Sequence, residues 1–158
     1  MRTRLAGTGF TAQLWGIGGV TSDEHALLLA DRATTTFRTG AGAGFIMPLE
    51  PNALIQNAPA GLGSRSTLQV RVWDNQGGTV LTWEEAVLAW ERGEIVIGKS
   101  ELFVPPFDLG GGIVVPPNLI GLTSFQLYPN LAVQTPEPNA VIFLVIASLC
   151  GLRLRTQK

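Results

Sequence analysis

The chain has 158 residues, of which 46% are hydrophobic and only 15% are charged, and its formal net charge is −1. This composition excludes intrinsic disorder and leaves room for one domain of ordinary size. Residues 1–139 carry 8 Lys or Arg against 12 Asp or Glu, which excludes a basic surface for nucleic acid, whereas residues 140–158 carry 3 against 0. A single cysteine, Cys150, excludes an intramolecular disulfide, and the single histidine, His25, is expected to be a plain surface residue. We therefore expect no metal and no cofactor.

Glycines and prolines lie between runs rich in Val, Ile, Thr and aromatic residues, a pattern typical of short strands joined by turns. Alternation of polar and apolar residues marks the first strand. Pro48 places the run that contains it at a sheet edge, because proline cannot donate a ladder hydrogen bond. These patterns predict strands at 8–16, 34–39 and 45–49, a loop at 51–65, and either a short strand or a turn of helix at 26–30.

The clearest strand covers residues 67–74, where side chains alternate strictly between two faces. One face is apolar and is predicted to point into the core. The opposite face mixes polar and aromatic side chains. The two faces consist of Leu68, Val70 and Val72, and of Gln69, Arg71 and Trp73, respectively.

One helix is predicted after this strand. Thr82 is a good N-cap, Glu85 is its capping-box partner, and Gly93 lies just past the end. The helical spacing predicts that one stripe packs inward, and we prefer core packing over a ligand-stacking platform for its two tryptophans. The stripe consists of Trp83, Val87 and Trp90.

Three more strands are predicted, at 100–104, 113–115 and 122–128. The fold class that follows is mainly β, a small antiparallel β-sandwich with one short helix, plus a C-terminal apolar helix.

Residues 93–100 match the phosphate-loop pattern G-x-x-x-x-G-K-S, but their context argues against a nucleotide site. A helix precedes the motif where a strand is needed, and Pro105 and Pro106 forbid a long helix after it. The sequence also lacks a G-x-S-x-G nucleophile elbow, and its scattered acidic residues form no recognisable pair. We expect no catalytic residues, no nucleotide and no enzymatic activity.

The C-terminal region differs in composition from the rest. Residues 131–139 form a proline-rich spacer, and residues 140–152 then run without a charge. A 13-residue helix extends about 20 Å, short of the roughly 30 Å bilayer core, so the segment predicts a short membrane or sorting helix, with a final core element as the alternative. By the positive-inside tendency, the basic end stays in the cytoplasm and the body lies outside. The apolar positions are Ala140, Val141, Ile142, Phe143, Leu144, Val145, Ile146, Leu149 and Leu152, and the basic end is Arg153, Arg155 and Lys158.

The order of Pro136, Glu137 and Pro138, an apolar helix and a basic end resembles the PEP-CTERM sorting signal of exported bacterial proteins. The body segments 7–16, 34–45, 71–80 and 98–103 are similar to a group of PEP-CTERM proteins of unknown biochemical function. The resemblance implies processing by an exosortase in the inner membrane of a Gram-negative bacterium, followed by release to the cell surface or to an exopolysaccharide matrix. It also implies that Gly98, Lys99 and Ser100 form a turn into a strand.

Three regions follow: a β-sandwich extracytoplasmic domain at 1–130, the spacer with the PEP motif at 131–139, and the sorting helix at 140–158. Residues 5–10 form no signal-peptide core, so we expect a leader, and with it a first strand, to lie upstream of Met1. Two functions remain open. The first is a structural or adhesive surface protein, and the second is a carbohydrate-binding module that recognises exopolysaccharide through exposed rings such as Trp15 or Trp73.

Overall fold

The computed structural model describes residues 3–58, 65–106 and 119–132. Within them five antiparallel strands form one sheet in the order β2-β1-β3-β4-β5, and one α-helix packs on the sheet. The prediction of a mainly β chain with one short helix is confirmed. The elements are β1 Gly7–Gly18, β2 Leu28–Phe37, β3 Ser66–Asp74, α1 Trp83–Glu91, β4 Val96–Lys99 and β5 Tyr128–Pro129, with 3₁₀ turns at Glu24–Ala26 and Gly40–Gly42.

Strand β1 is longer than the alternating pattern predicts, because it continues through Gly16 to Gly18. Its pairing with β3 is unbroken from Phe10 opposite Asp74 to Gly18 opposite Ser66. A Cβ on Gly16 would lie 2.6 Å from a methyl group of Leu68, so this glycine permits close packing across the sheet. The predicted end of the strand at Gly16 was wrong, because the strand continues to Gly18 and its glycines supply space there.

Strand β2 joins two runs that the sequence separates. The open choice at 26–30 is resolved as a 3₁₀ turn that ends at Ala26 and a strand that begins at Leu28. The pairing with β1 shifts between Gln13 and Trp15, and on the β2 side Arg32 has a left-handed φ of 57°. A bulge therefore lets one strand contain both runs.

Several predicted strands are reduced to single contacts. Residues 45–49 and 100–104 contribute only the isolated bridges of Ile46 with Phe37 and of Phe103 with Leu68, and of 122–128 only Tyr128 lies in a strand. The fourth strand, β4, lies before residue 100. It ends there because the Ser100 hydroxyl accepts the Val70 N–H at 3.0 Å, in place of a backbone carbonyl. The predicted strand at 113–115 lies outside the described residues.

Both faces of β3 are buried, whereas the pattern assigns only one to the core. The predicted core face, with Leu68, Val70 and Val72, packs against Ala12 and Phe37. Partly buried side chains between Ile46 and Ile55 and between Leu119 and Leu127 pack against it, so among the described residues connecting segments cover this face. The second sheet of a sandwich stays a prediction.

On the other face of β3, helix α1 covers the end that carries Trp73. Trp73 has no exposed surface and packs with Ala86 and Ala89, the two most buried helix residues, while Trp83 and Trp90 are partly buried around them. Core packing of the two helix tryptophans is thus confirmed. The deepest contacts are made by the alanines, because their small side chains let the helix approach the indole of Trp73 closely.

The helix start shows the predicted capping box. The Thr82 hydroxyl accepts the Glu85 N–H at 3.2 Å, and the Glu85 carboxylate accepts the N–H groups of Thr82 at 3.1 Å and Leu81 at 2.8 Å. At the other end Gly93 has a left-handed φ of 75°. Both helix ends therefore follow from local sequence.

Thr82→Ala is expected to lower the free energy of unfolding by about 1 kcal/mol, because the Glu85 N–H loses its acceptor. Thr82→Ser keeps a hydroxyl at the same place and is expected to stay within a few tenths of a kcal/mol of the wild type. Urea denaturation of the three proteins measures both differences. Equal losses for the two variants would show that the hydroxyl does not cap the helix.

Candidate functional site

The sorting residues predicted from the tail lie outside the described residues. This holds for the PEP motif, the apolar segment and the basic end. No helix within 3–58, 65–106 and 119–132 is long and apolar enough to cross a membrane. The residues concerned are Pro136, Glu137 and Pro138, Ala140–Ile146, Leu149 and Leu152, and Arg153, Arg155 and Lys158.

The second half of the phosphate-loop motif forms strand β4, which lies between β3 and the edge strand β5, instead of a loop. Gly98 and Lys99 pair with β3, opposite Val72 and Arg71, so their backbone groups run along a strand and do not wrap around an anion. The prediction that Gly98, Lys99 and Ser100 form a turn that leads into a strand was wrong. Gly98 and Lys99 are the last two residues of β4, and Ser100 follows the strand. The Lys99 ammonium contacts the carboxylate of Glu24.

Of the two tryptophans proposed as a sugar platform, Trp73 is fully buried and cannot contact a ligand. Its indole N–H donates to the carbonyl of Val80 at 3.0 Å. Trp15 is half-buried, and its indole N–H donates to the Gln13 side chain at 3.3 Å. Only Trp15 of this pair is therefore available to a molecule outside the domain.

The strongest constellation of polar groups surrounds Arg71, in the middle of β3. Its guanidinium lies 3.9 Å from the ring centroid of Trp15 and 5.3 Å from that of Trp83. Its Nε donates to the Gln69 side chain at 2.9 Å, and the Gln69 amide donates to the Ser100 carbonyl at 3.1 Å. The two rings and Gln69 together hold the guanidinium plane in one orientation.

A carboxylate reaches this cation from the connection between β1 and β2, residues 19–27, which we call the strap. Glu24, in the 3₁₀ turn of the strap, lies 3.6 Å from the Arg71 Nη2, and its two oxygens lie 2.6 and 2.7 Å from Lys99 Nζ. Because β1 is separated from β4 by β3, the strap must bend back across β3 to make this contact. The base of the strap is held separately, by Thr21 N–H donating to Thr67 Oγ1 at 2.9 Å.

The electrostatics of the cluster are set by two cations around one carboxylate. Partial burial acts to raise the pKa of Glu24, but the hydrogen bonds and charge of Lys99, with the charge of Arg71, outweigh it and the pKa is lowered. Burial lowers the pKa of Arg71, while Glu24 and Glu84 act in the opposite direction. Glu24 is therefore ionised at neutral pH, and the cluster of Glu24, Arg71 and Lys99 has a net positive charge.

This arrangement can bind and orient a carboxylate but offers no nucleophile with a neighbouring base. Sequence reasoning placed Arg71 and Trp73 on the same strand face, yet it did not connect Arg71 with Glu24 or Lys99. One feature of the sequence could have indicated a site here: Arg71 is a charged residue at the centre of a strand whose neighbouring residues are β-branched and aromatic. A guanidinium buried at such a position requires a partner. No local pattern in the sequence identifies Glu24 and Lys99 as the groups around Arg71, because these two residues lie 75 positions apart.

Glu24→Gln is expected to destabilise the domain by about 0.5 to 1 kcal/mol at pH 7, because the ion pair is partly open to solvent. Since the folded-state pKa of Glu24 is lowered, its contribution is fully present above the unfolded pKa of about 4.5 and is lost as pH falls through the folded value. The difference between wild type and variant is thus expected to be constant above pH 5 and to shrink below about pH 4.5. Denaturant unfolding from pH 3 to 7 measures it; a pH-independent difference would contradict this assignment.

No group of three or more His, Cys, Asp or Glu that could hold a metal ion is found in the part of the chain that the structure describes. His25 is exposed on the strap, as expected. Comparisons with models of known protein families, with curated proteins and with solved structures give no match for this chain.

Proposed function

We propose that this chain is an exported bacterial protein of the cell surface or extracellular matrix, structural or adhesive in type, that is sorted through its C-terminal tail. The observation that carries the proposal is the order of Pro136, Glu137 and Pro138, the uncharged run at 140–152 and the basic end. The partner proposed for the tail is an exosortase in the inner membrane, reached by a short apolar helix. Exopolysaccharide is the proposed partner of the released domain.

The described domain supports this division of the chain. Within the described residues, two core clusters draw on residues between Leu5 and Leu127, and strand β5 ends at Pro129. The spacer begins two residues later, where the tail leaves the sheet beside helix α1. At that point the Trp90 indole N–H donates to the Tyr128 carbonyl at 3.0 Å, and the Asn130 amide donates to the Glu91 carbonyl at 3.2 Å. The sheet is proposed to be one layer of a sandwich.

Carbohydrate binding is the second candidate, and one observation favours it. Trp15 is half-buried beside the Arg71 guanidinium, a combination of aromatic surface and charge. Trp73 gives no support, because its ring is buried under the helix.

The sorting proposal is tested by mass spectrometry of both termini of the protein made in its native host from the complete reading frame. We expect the mature chain to lack everything after a cut near Pro138. A chain that keeps residues 140–158 and stays in the cytoplasm would overturn the proposal. Replacing Pro136, Glu137 and Pro138 by alanine is expected to leave the tail uncut, while alanine at Thr135 and Asn139 serves as the control.

A further inference from the structure

We infer that Arg71 and Lys99 form a binding site for the carboxylate of an acidic saccharide, and that Glu24 occupies this site as an internal competitor. The inference rests on the proposed function only for the choice of a saccharide. The site itself follows from the contacts of Arg71, Lys99 and Trp15.

The two cations are arranged for one carboxylate. Arg71 and Lys99 are register partners on neighbouring strands, so their side chains leave the same face of the sheet side by side. Both contact the same oxygen of Glu24, at 3.6 and 2.6 Å. The guanidinium is already oriented by Gln69 and two indole rings, so an incoming carboxylate does not have to order it.

Glu24 is held loosely enough to be replaced. Its side chain is 33% exposed, that of Lys99 is 49% exposed, and Glu24 lies between Asp23 and His25, which are both exposed. Ion pairs of this kind stabilise a protein by only about 0 to 1 kcal/mol. The strap base is anchored elsewhere, where the Gly19 N–H donates to the Arg65 carbonyl at 2.7 Å and Thr21 contacts Thr67. The tip of the strap can therefore move away while its base stays in place.

Departure of Glu24 leaves an unbalanced pair of charges. The Arg71 side chain is only 9% exposed, and Glu84 on helix α1 is the other carboxylate whose charge acts on it. A desolvated cation without a partner is unfavourable. An external carboxylate that binds Arg71 and Lys99 therefore recovers most of the interaction free energy that is lost when Glu24 leaves. The two cations alone would also bind inorganic anions. Selection of a saccharide over a simple anion therefore requires a further feature of the site.

That feature is Trp15. Its ring lies against the Arg71 guanidinium and is half-buried, so it adds apolar surface next to the carboxylate position. A uronate carries a carboxylate on a pyranose ring whose C–H groups are apolar. The carboxylate would meet Arg71 and Lys99 while the sugar ring lies beside the indole of Trp15.

The test is a titration of the full chain with trigalacturonate, followed by calorimetry and by the amide signals of β3 and β4. We expect binding that is tightened about two- to fivefold by Glu24→Gln, because the internal competitor is gone, and then weakened about tenfold by adding Lys99→Met. Lys99 is half-exposed at the end of its strand, so this variant is expected to fold. Glu94→Gln and Arg92→Met are the matched controls, because they make the same charge changes in an exposed ion pair in which Arg92 Nε lies 2.8 Å from Glu94 Oε1. Both are expected to leave binding unchanged.

The contrary outcomes are distinct. No binding to Glu24→Gln at millimolar trigalacturonate would show that the cluster is a structural ion pair only, and the inference would be withdrawn. Equal binding of acetate would show a general anion site and would overturn the assignment to a saccharide. Neutral trigalactose is expected not to bind. None of these results depends on tail processing, which the analysis of mature termini decides independently.

Discussion

Trp73→Ala is expected to destabilise the domain by about 3 to 5 kcal/mol. The indole has no exposed surface, lies under Ala86 and Ala89, and meets Trp83 edge to face with 6.1 Å between ring centroids. Truncation leaves a cavity between sheet and helix. It also leaves the Val80 carbonyl without the N–H that it accepts at 3.0 Å.

Trp73→Phe separates the two contributions. Phenylalanine keeps most of the ring volume but removes the N–H, so a loss of about 1 to 3 kcal/mol is expected. Leu88→Ala is the matched control in the covering helix, because the Leu88 side chain is 56% exposed, and a change within about 0.5 kcal/mol is expected. Guanidinium denaturation measures all three variants. A small loss for Trp73→Ala would contradict the packing of helix α1 on the sheet.

Gly98→Ala is expected to destabilise the domain by about 1 to 3 kcal/mol, because the added methyl group has no room. A Cβ at this position would lie 2.4 Å from the carbonyl oxygen of Gln126 and 2.8 Å from a methyl group of Leu127. The backbone oxygen cannot give way without moving residues 126–129, and β5 pairs with β4 through Val96 and Ile97 only. The substitution is therefore expected to detach β5 from the sheet edge.

Gly9→Ala is the matched control for this substitution. Gly9 also lies in a strand, and a Cβ there meets no atom within 4 Å. Its replacement is expected to be neutral or slightly stabilising. Hydrogen exchange distinguishes the two variants, since Gly98→Ala is expected to speed exchange in β4 while β1 stays protected. Unchanged protection in β4 would show that residues 126–129 do not pack on Gly98.

Both substitutions bear on the proposed export. Trp73 fixes helix α1, and the helix in turn holds the end of β5 through Trp90 and Asn130, directly before the tail. A protein processed at the tail must keep this end of the domain folded after the cut. Loss of β5 would leave β4 as an open sheet edge, and open edges promote association between chains.

Local patterns were sufficient for much of the fold. The alternation at 67–74 determined strand β3 and its apolar face, and Thr82, Glu85 and Gly93 determined where helix α1 begins and ends. These features depend on residues a few positions apart, so sequence carries them directly. The same holds for the mainly β composition of the chain.

Other features were decided by tertiary structure alone. Gly16 and Gly18 lie within a strand where a Cβ would collide with a methyl group of Leu68 and with the backbone of Asn57, respectively. Ser100 ends β4 because its hydroxyl meets the backbone of β3. Burial of Trp73 on the second face of β3 required the helix that packs on it.

The candidate site depends on three separate parts of the chain. Glu24, Arg71 and Lys99 lie on the strap, β3 and β4, and no period or spacing connects them. The sequence by itself determined strand β3, most of strand β1 and the helix caps, and it contains the tail whose order predicts sorting. Only the packed sheet brought the Glu24 carboxylate to Lys99 and to Arg71, because strand order and the path of the strap are long-range properties set by burial and pairing.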